Sequence, residues 1–190
     1  MQFRRLEIPE VVEITPSRHG DERGYFSETF RHDRFSSEVA DVTFVQENQS
    51  LSRSRGVLRG LHFQLAPSAQ GKLVRCVAGA ILDVAVDIRH GSPSFGKFVS
   101  ATLTAETGNQ LWVPVGFLHG FCTLTDDTLV SYKVTSYYDG AADRGVAWND
   151  PAIGIDWPDF VDQSLMSGKD QKQPLLRDLS ECFSYSGAAS

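Results

Sequence analysis

The sequence predicts a mainly β protein, a sandwich or barrel of short strands with a few short helices. Sixteen glycines and eight prolines divide the 190 residues into short apolar runs, and runs bounded by turn residues read as strands joined by tight connections. Within those runs apolar and polar side chains alternate, the period of a strand rather than of a helix. No internal repeat or low-complexity linker breaks the pattern. Residues 1–185 are therefore expected to form one domain, with 186–190 as a frayed tail.

The elements follow in order. An extended strand is expected over Phe3 to Ile14, where it could cross to a second copy of the chain. Asp33 is placed to cap a short helix running through Ala40. Strands are expected over Val42 to Gln46, Gly56 to Leu65, Lys72 to Ala78 and Ala80 to Ile88. Four more are expected over Phe98 to Leu103, Gln110 to Val113, His119 to Thr123 and Leu129 to Thr135. A second helix is expected after Pro158. This density of strands fits a sandwich or barrel.

Composition narrows the function classes. Hydrophobic residues make up 41% and charged residues 22%, values of a globular chain. A net charge of −6 argues against a nucleic-acid partner, which needs a basic surface. The most apolar stretch, Leu73 to Ile88, is broken by Arg75, Asp83 and Asp87, so no membrane span is expected. Met1 to Pro9 lacks a signal-peptide apolar run. The three cysteines (Cys76, Cys122, Cys182) are widely spaced, which fits reduced thiols in the cytoplasm.

Alternation assigns side chains to faces. His62 and Gln64 point opposite to Leu61, Phe63 and Leu65. Lys72 shares a face with Val74 and Cys76, Tyr132 with Val130 and Val134, and His119 with Phe121. Several strands thus offer one ionisable or phenolic group among apolar neighbours. A barrel lined with chemistry would be written this way, and so would a sheet with one wet face. Alternation leaves both open.

Each candidate has a plain structural alternative. A single strand histidine such as His62 is usually structural, but Arg59 three residues earlier places an anion-binding fork beside a titratable base. Lys72 could be a snorkelling lysine at a strand end or a cation held where negative charge develops. Tyr132 could be an ordinary barrel aromatic or a proton donor. A barrel metal site would need a second histidine where Gln64 stands and a carboxylate nearby, so no metal is expected.

Motifs in the loops say more as a set. Asp21-Glu22-Arg23-Gly24-Tyr25-Phe26, Gln46-Glu47-Asn48 and Gly56-Val57-Leu58-Arg59-Gly60-Leu61-His62-Phe63-Gln64 come first. Lys72-Leu73-Val74-Arg75, Asp83 to Arg89, Gly116-Phe117-Leu118-His119-Gly120-Phe121 and Tyr132 to Tyr138 follow. Trp148-Asn149-Asp150-Pro151 and Lys169-Asp170 complete the series. In this order, from about Arg23 to Asp170, they resemble the dTDP-4-dehydrorhamnose 3,5-epimerase family.

The resemblance implies a cupin-type jelly-roll β-barrel, a homodimer, that binds a dTDP-4-keto-6-deoxy sugar and uses no cofactor. It implies His62 as general base oriented by Asp170, Tyr132 as acid on the opposite sugar face, and Lys72 at the enolate oxygen. Arg23 and Arg59 would hold the diphosphate. Phe26, Glu28, Gln46, Asn48, Asp143 and Lys169 would contact sugar or nucleotide. Tyr138 would stack on thymine and His119 would line the sugar pocket, with Asp83 behind it. Two positions depart from the family pattern: Asp143 where glutamate is frequent, and Val115 where Pro-Glu is common. The chemistry is coherent, because a hydrogen beside a ketone is acidic only when the enolate is stabilised. Inversion then needs a base and an acid across the ring. Alternatives are an epimerase acting on one carbon, a non-catalytic sugar-nucleotide-binding cupin, and a metal-dependent cupin.

Overall fold

The computed structural model describes residues 1–180 and 182–187. Its strands are β1 (Gln2–Arg5), β2 (Val12–Thr15), β3 (His19–Asp21), β4 (Gly24–Phe26), β5 (Gln46–Ser52), β6 (Leu58–Gln64), β7 (Lys72–Ala78) and β8 (Ala80–Asp87). They continue as β9 (Arg89–His90), β10 (Phe98–Thr104), β11 (Gln110–Val113), β12 (Phe117–Thr123), β13 (Thr128–Val134), β14 (Asp143–Gly145) and β15 (Phe183–Ser184). One helix, α1 (His32–Glu38), and three single 3-10 turns accompany them among the described residues. A six-stranded sheet in the order β1-β2-β11-β7-β13-β5 faces a five-stranded sheet in the order β10-β8-β12-β6-β14. All pairs within these two sheets are antiparallel. This is the expected jelly-roll barrel.

Three apolar clusters follow from the alternation. Between the sheets lie Val74, Cys76, Ile81, Ala85, Leu103, Leu111, Phe121 and Val130, with Tyr132 packed at their edge. On the outer face of the five-stranded sheet, Leu61, Phe63, Val84, Val86 and Leu118 are covered by Ile153 and Leu176 from the C-terminal segment. On the outer face of the other sheet, Val12, Ile14, Leu73 and Trp112 are covered by Phe35 of α1. Burying both faces of each sheet leaves the interior free to carry a few polar groups where ligand could enter.

Four expected elements differ. Phe3 to Ile14 is two strands, not one: Pro9 lacks a backbone donor, and the chain turns there, with Val11 N–H donating to Ile8 O at 3.0 Å. Asp33 does not cap α1. Arg31 occupies the cap position without a side-chain bond, and Asp33 sits in the first turn paired with Arg31. The expected strand Val42–Gln46 is displaced, because Val42 and Phe44 pack outward against the cluster of Phe35 and Trp112, and pairing begins only at Gln46. After Pro158 there is no helix. Short 3-10 turns at Gln163–Leu165, Asp170–Lys172 and Leu176–Asp178 replace it, in a stretch interrupted by Gly168 and Pro174. Of the expected tail, Ser186 and Gly187 are exposed and in no element, and residues 188–190 lie outside the described residues.

One contact positions the middle of the five-stranded sheet. A Cβ on Gly60 would stand 2.5 Å from Gly120 Cα and 2.9 Å from His119 O, and Gly60 has φ +132°. The register between β6 and β12 shifts at this point, with His119 opposite His62. Only glycine permits both the backbone angle and the approach. Gly60→Ala is expected to lower the unfolding free energy by about 2 kcal/mol. A urea midpoint equal to that of the parent protein would refute this reading of the contact.

Candidate active site

The chain brings its chemistry together from six strands and the C-terminal turns. His62 on β6, Lys72 at the start of β7 and Tyr132 on β13 form the shared wall of two cavities. The first, about 270 Å³, is also lined by Gln46 and Asn48 of β5, by Tyr138 and by Asp143. The second, about 260 Å³, is lined by Arg59, His119, Lys169 and Asp170. Tyr132 lies opposite Asn48 on one side and Val74 on the other. The strand faces deduced from alternation therefore converge on one interior.

His62 and Asp170 are 108 positions apart in sequence, and their Nε2 and Oδ1 atoms stand 2.6 Å apart. The carboxylate is buried, and the Asp170 backbone N–H donates to Ser167 Oγ at 3.1 Å. Burial alone would raise the Asp170 pKa, but the bond and charge from His62, with help from Ser167, outweigh it and hold the carboxyl below its usual value. A carboxylate only accepts hydrogen bonds. The His62 proton therefore sits on Nε2, and Nδ1 is left as the basic nitrogen.

Lys72 and Tyr132 are tuned by the same burial. Desolvation pushes the Lys72 ammonium down to about 8, with Asp143 and Asp83 partly opposing. By surface area Lys72 is only half-buried, and it lines both cavities. The Tyr132 phenol is raised, first by burial, with Arg59 pulling the other way. A neutral phenol and a readily titrated amine face the same space as an oriented imidazole.

A second histidine–carboxylate pair backs the wall. His119 Nε2 lies 2.7 Å from Asp83 Oδ1, and Asp83 is fully buried. Gln64, where a metal site would need histidine, does different work. Its buried amide accepts from Asp139 N at 2.9 Å and donates to Ser68 O at 2.6 Å and Tyr137 O at 3.2 Å. With Gln46 accepting from Tyr138 N at 3.1 Å, it fixes the loop that presents Tyr138. Neither role is visible in the sequence, because loop anchoring depends on contacts between segments far apart in the chain. Among the described residues, no group of three or more His, Cys, Asp or Glu side chains is gathered as a metal ligand set.

The remaining expected site residues divide. Arg59 lines the second cavity and donates to Ser52 Oγ at 3.2 Å and Leu51 O at 3.3 Å. Asp143 lines the first cavity, accepts from the Tyr138 hydroxyl at 3.2 Å, and pairs with Lys169 of the second cavity's wall. Val115 lines neither. Arg23, Phe26 and Glu28, expected at the substrate, are exposed and line neither cavity. Strands β3 and β4 pair only with each other, and the Arg23 guanidinium is held by Asp21. Within one chain these three residues are not part of the site.

Fold and site together define a jelly-roll barrel with an acid–base centre: a histidine–carboxylate pair, a phenol and a buried lysine around one interior. The family model for dTDP-4-dehydrorhamnose 3,5-epimerase matches residues 5–178, and the chain belongs to that family. A dTDP-4-dehydrorhamnose 3,5-epimerase of Sinorhizobium fredii is 57% identical over 185 residues, 97% of this chain and 94% of the relative. The crystal structure of a dTDP-6-deoxy-D-glucose-3,5-epimerase from Legionella pneumophila, in complex with dTDP-4-keto-L-rhamnose, is 40% identical with a TM-score of 0.92, covering 98% of this chain and 99% of that one. A 3'-monoepimerase from Streptomyces bikiniensis, solved with dTDP as a histidine-to-asparagine, tyrosine-to-phenylalanine double mutant, is 35% identical with a TM-score of 0.88, covering 95% and 92%. Its two replaced residues stand as far apart in sequence as His62 and Tyr132 do here.

The buried lysine makes a stability prediction. Its folded pKa, about 8, lies below the ordinary lysine value near 10.4. The cost of holding the charge in the barrel is thus fully present below pH 8 and disappears as pH rises towards 10. Lys72→Met is expected to melt a few degrees above the parent protein at pH 6.5, with the gap narrowing through that window. A variant that melts lower at pH 6.5 would contradict it.

Proposed function

We propose that this chain epimerises C3 and C5 of dTDP-4-dehydro-6-deoxy-D-glucose, giving dTDP-4-dehydro-L-rhamnose. The observation that carries the reading is the common cavity wall of His62, Lys72 and Tyr132. His62 Nδ1 takes the proton beside the C4 ketone, and the Lys72 ammonium stabilises the enolate oxygen. Tyr132 returns a proton to the opposite face of the same carbon, and solvent resets both groups. No electron leaves the sugar, so acid, base and electrophile from the chain suffice without a metal. Asp170 holds the imidazole in its basic tautomer, as carboxylates do for catalytic histidines. Arg59 suits the diphosphate. Asp143, Lys169, Gln46 and Asn48 suit the sugar and nucleotide, and Tyr138 suits the base by stacking.

The second reading, epimerisation at one carbon, is favoured by the likeness to the Streptomyces bikiniensis 3'-monoepimerase, where the altered histidine and tyrosine have the same separation. Incubation with the keto-sugar nucleotide in deuterated water distinguishes the two. Deuterium is expected at C3 and C5 and to survive EDTA treatment. His62→Asn and Tyr132→Phe are each expected to lower the rate about 100-fold or more, and the parent rate should fall as pH rises through about 8, where Lys72 loses its proton. Label at one carbon selects the second reading, and label at neither rejects both.

We also propose a cytoplasmic homodimer in which the β3–β4 hairpin reaches the partner's cavity. Tyr25 and Phe26 on its second strand are 59% and 72% exposed, and aromatic rings so presented mark association sites. Sedimentation should give the mass of two chains, and Phe26→Asp should weaken the association. A monomer at micromolar concentration would reject this arrangement.

A further inference from the structure

Ser50 lies on β5 two residues beyond Asn48, opposite Val130 of β13. It lines the cavity that also holds Arg59, His62, Lys72, His119 and Tyr132. Its hydroxyl oxygen is buried and, among the described residues, has no hydrogen-bond partner. The contrast with its neighbours is sharp. Gln46 bonds Asn48 at 2.8 Å and Tyr138 N at 3.1 Å, and Ser52 accepts from Arg59 at 3.2 Å. Of the four side chains that β5 turns inward, the other three have polar partners within the chain.

A buried hydroxyl left unpaired is unfavourable, and native proteins rarely keep one without a reason. Alanine would fill the same place in the wall at no such cost. The orphan hydroxyl therefore points to a partner that arrives with the ligand. Phosphate in this cavity has dedicated cations in Arg59 and Lys169. A neutral hydroxyl beside the base, the phenol and the lysine suits an oxygen of the reacting sugar.

We infer that Ser50 is a substrate contact, its hydroxyl donating to an oxygen of the hexose held among His62, Lys72 and Tyr132. The inference rests on the keto-sugar reading above. It adds a specificity element on the strand paired beside that of the acid: sugars that place an oxygen within reach of Ser50 satisfy the hydroxyl, and those that do not leave it stranded. Such sites reject a ligand lacking the matching polar group far more strongly than they reject one lacking a methylene.

Ser50→Ala tests it. The variant is expected to lose about 10- to 100-fold in kcat/KM for the keto-sugar nucleotide. Its affinity for dTDP alone should change less than twofold, and the free protein should melt at the parent temperature or above, because an unpaired hydroxyl has been removed. Unchanged kcat/KM overturns the inference. Equal weakening of dTDP also overturns it, assigning the hydroxyl to the diphosphate, and a lower melting temperature with proportionate loss of activity assigns it to packing. Exchange by the parent protein is measured in parallel, so an inactive parent rejects the proposed reaction instead. Calorimetric binding of dTDP-glucose against dTDP then decides the Ser50 contact: preferential loss of the sugar nucleotide supports it, and equal binding to parent and variant overturns it.

Discussion

The bond between His62 and Asp170 ties the two ends of the design together. His62 belongs to a central strand of the five-stranded sheet, whereas Asp170 belongs to a 3-10 turn in the C-terminal segment. That segment is fastened by its own contacts: Asp150 accepts from Leu176 N at 2.6 Å, Trp157 Nε1 donates to Trp148 O at 2.7 Å, and Ile153 and Leu176 cover Leu61 and Phe63 on the outer face. The motif around Trp148 to Pro151 thus serves the site from a distance. By holding the segment against the sheet, it delivers a carboxylate to the back of the imidazole.

The neighbouring glycines are part of the same constraint. Strand β14 lies beside His62, with Gly145 opposite it. A Cβ on Gly145 would stand 2.5 Å from Leu61 O. On the other flank Gly60 and Gly120 let β6 and β12 approach. The base is held between two strands that can come this close only where side chains are absent. Such rigidity matters because proton transfer is sensitive to sub-ångström placement. The polar interior carries a matching cost. Lys72 is desolvated, and Asp83 leaves one carboxylate oxygen without a hydrogen bond among the described residues. A barrel optimised for stability alone would fill these positions with apolar side chains, so their retention reflects chemistry that needs charge away from water.

Much of this was legible before any coordinates. The faces of β6, β7, β12 and β13 follow from alternation, but grouping His62, Lys72, His119 and Tyr132 in one interior rests on the family resemblance. Asp170 could not be reached that way, since its turn has no periodicity and its place depends on docking of the C-terminal segment. Strand β5 was missed for a physical reason. Its inward residues are Gln46, Asn48 and Ser50, so the hydrophobic signal that marks a strand is absent where the strand lines a polar cavity. The apolar Val42 and Phe44 just before it drew the expected strand to the wrong place, because they belong to the outer cluster. Arg23, Phe26 and Glu28 show a different limit: their motif is readable in the sequence, and within one chain they lie outside both cavities.

The division of labour around the cavity bears on how one active site treats one carbon or two. Base, acid and lysine come from three strands whose positions are fixed by backbone pairing, and they present the same groups whichever carbon is deprotonated. They cannot decide the number of inversions. On the proposed reading, that decision falls to the groups placed to hold the hexose after the first proton returns: Asn48 and Ser50 on β5, His119 on β12, and the Asp143–Lys169 pair. In this chain the shorter carboxylate at Asp143 bonds both Tyr138 and Lys169. On the proposed reading, specificity belongs to the polar rim and to β5, resting on a barrel whose proton-transfer groups stay the same.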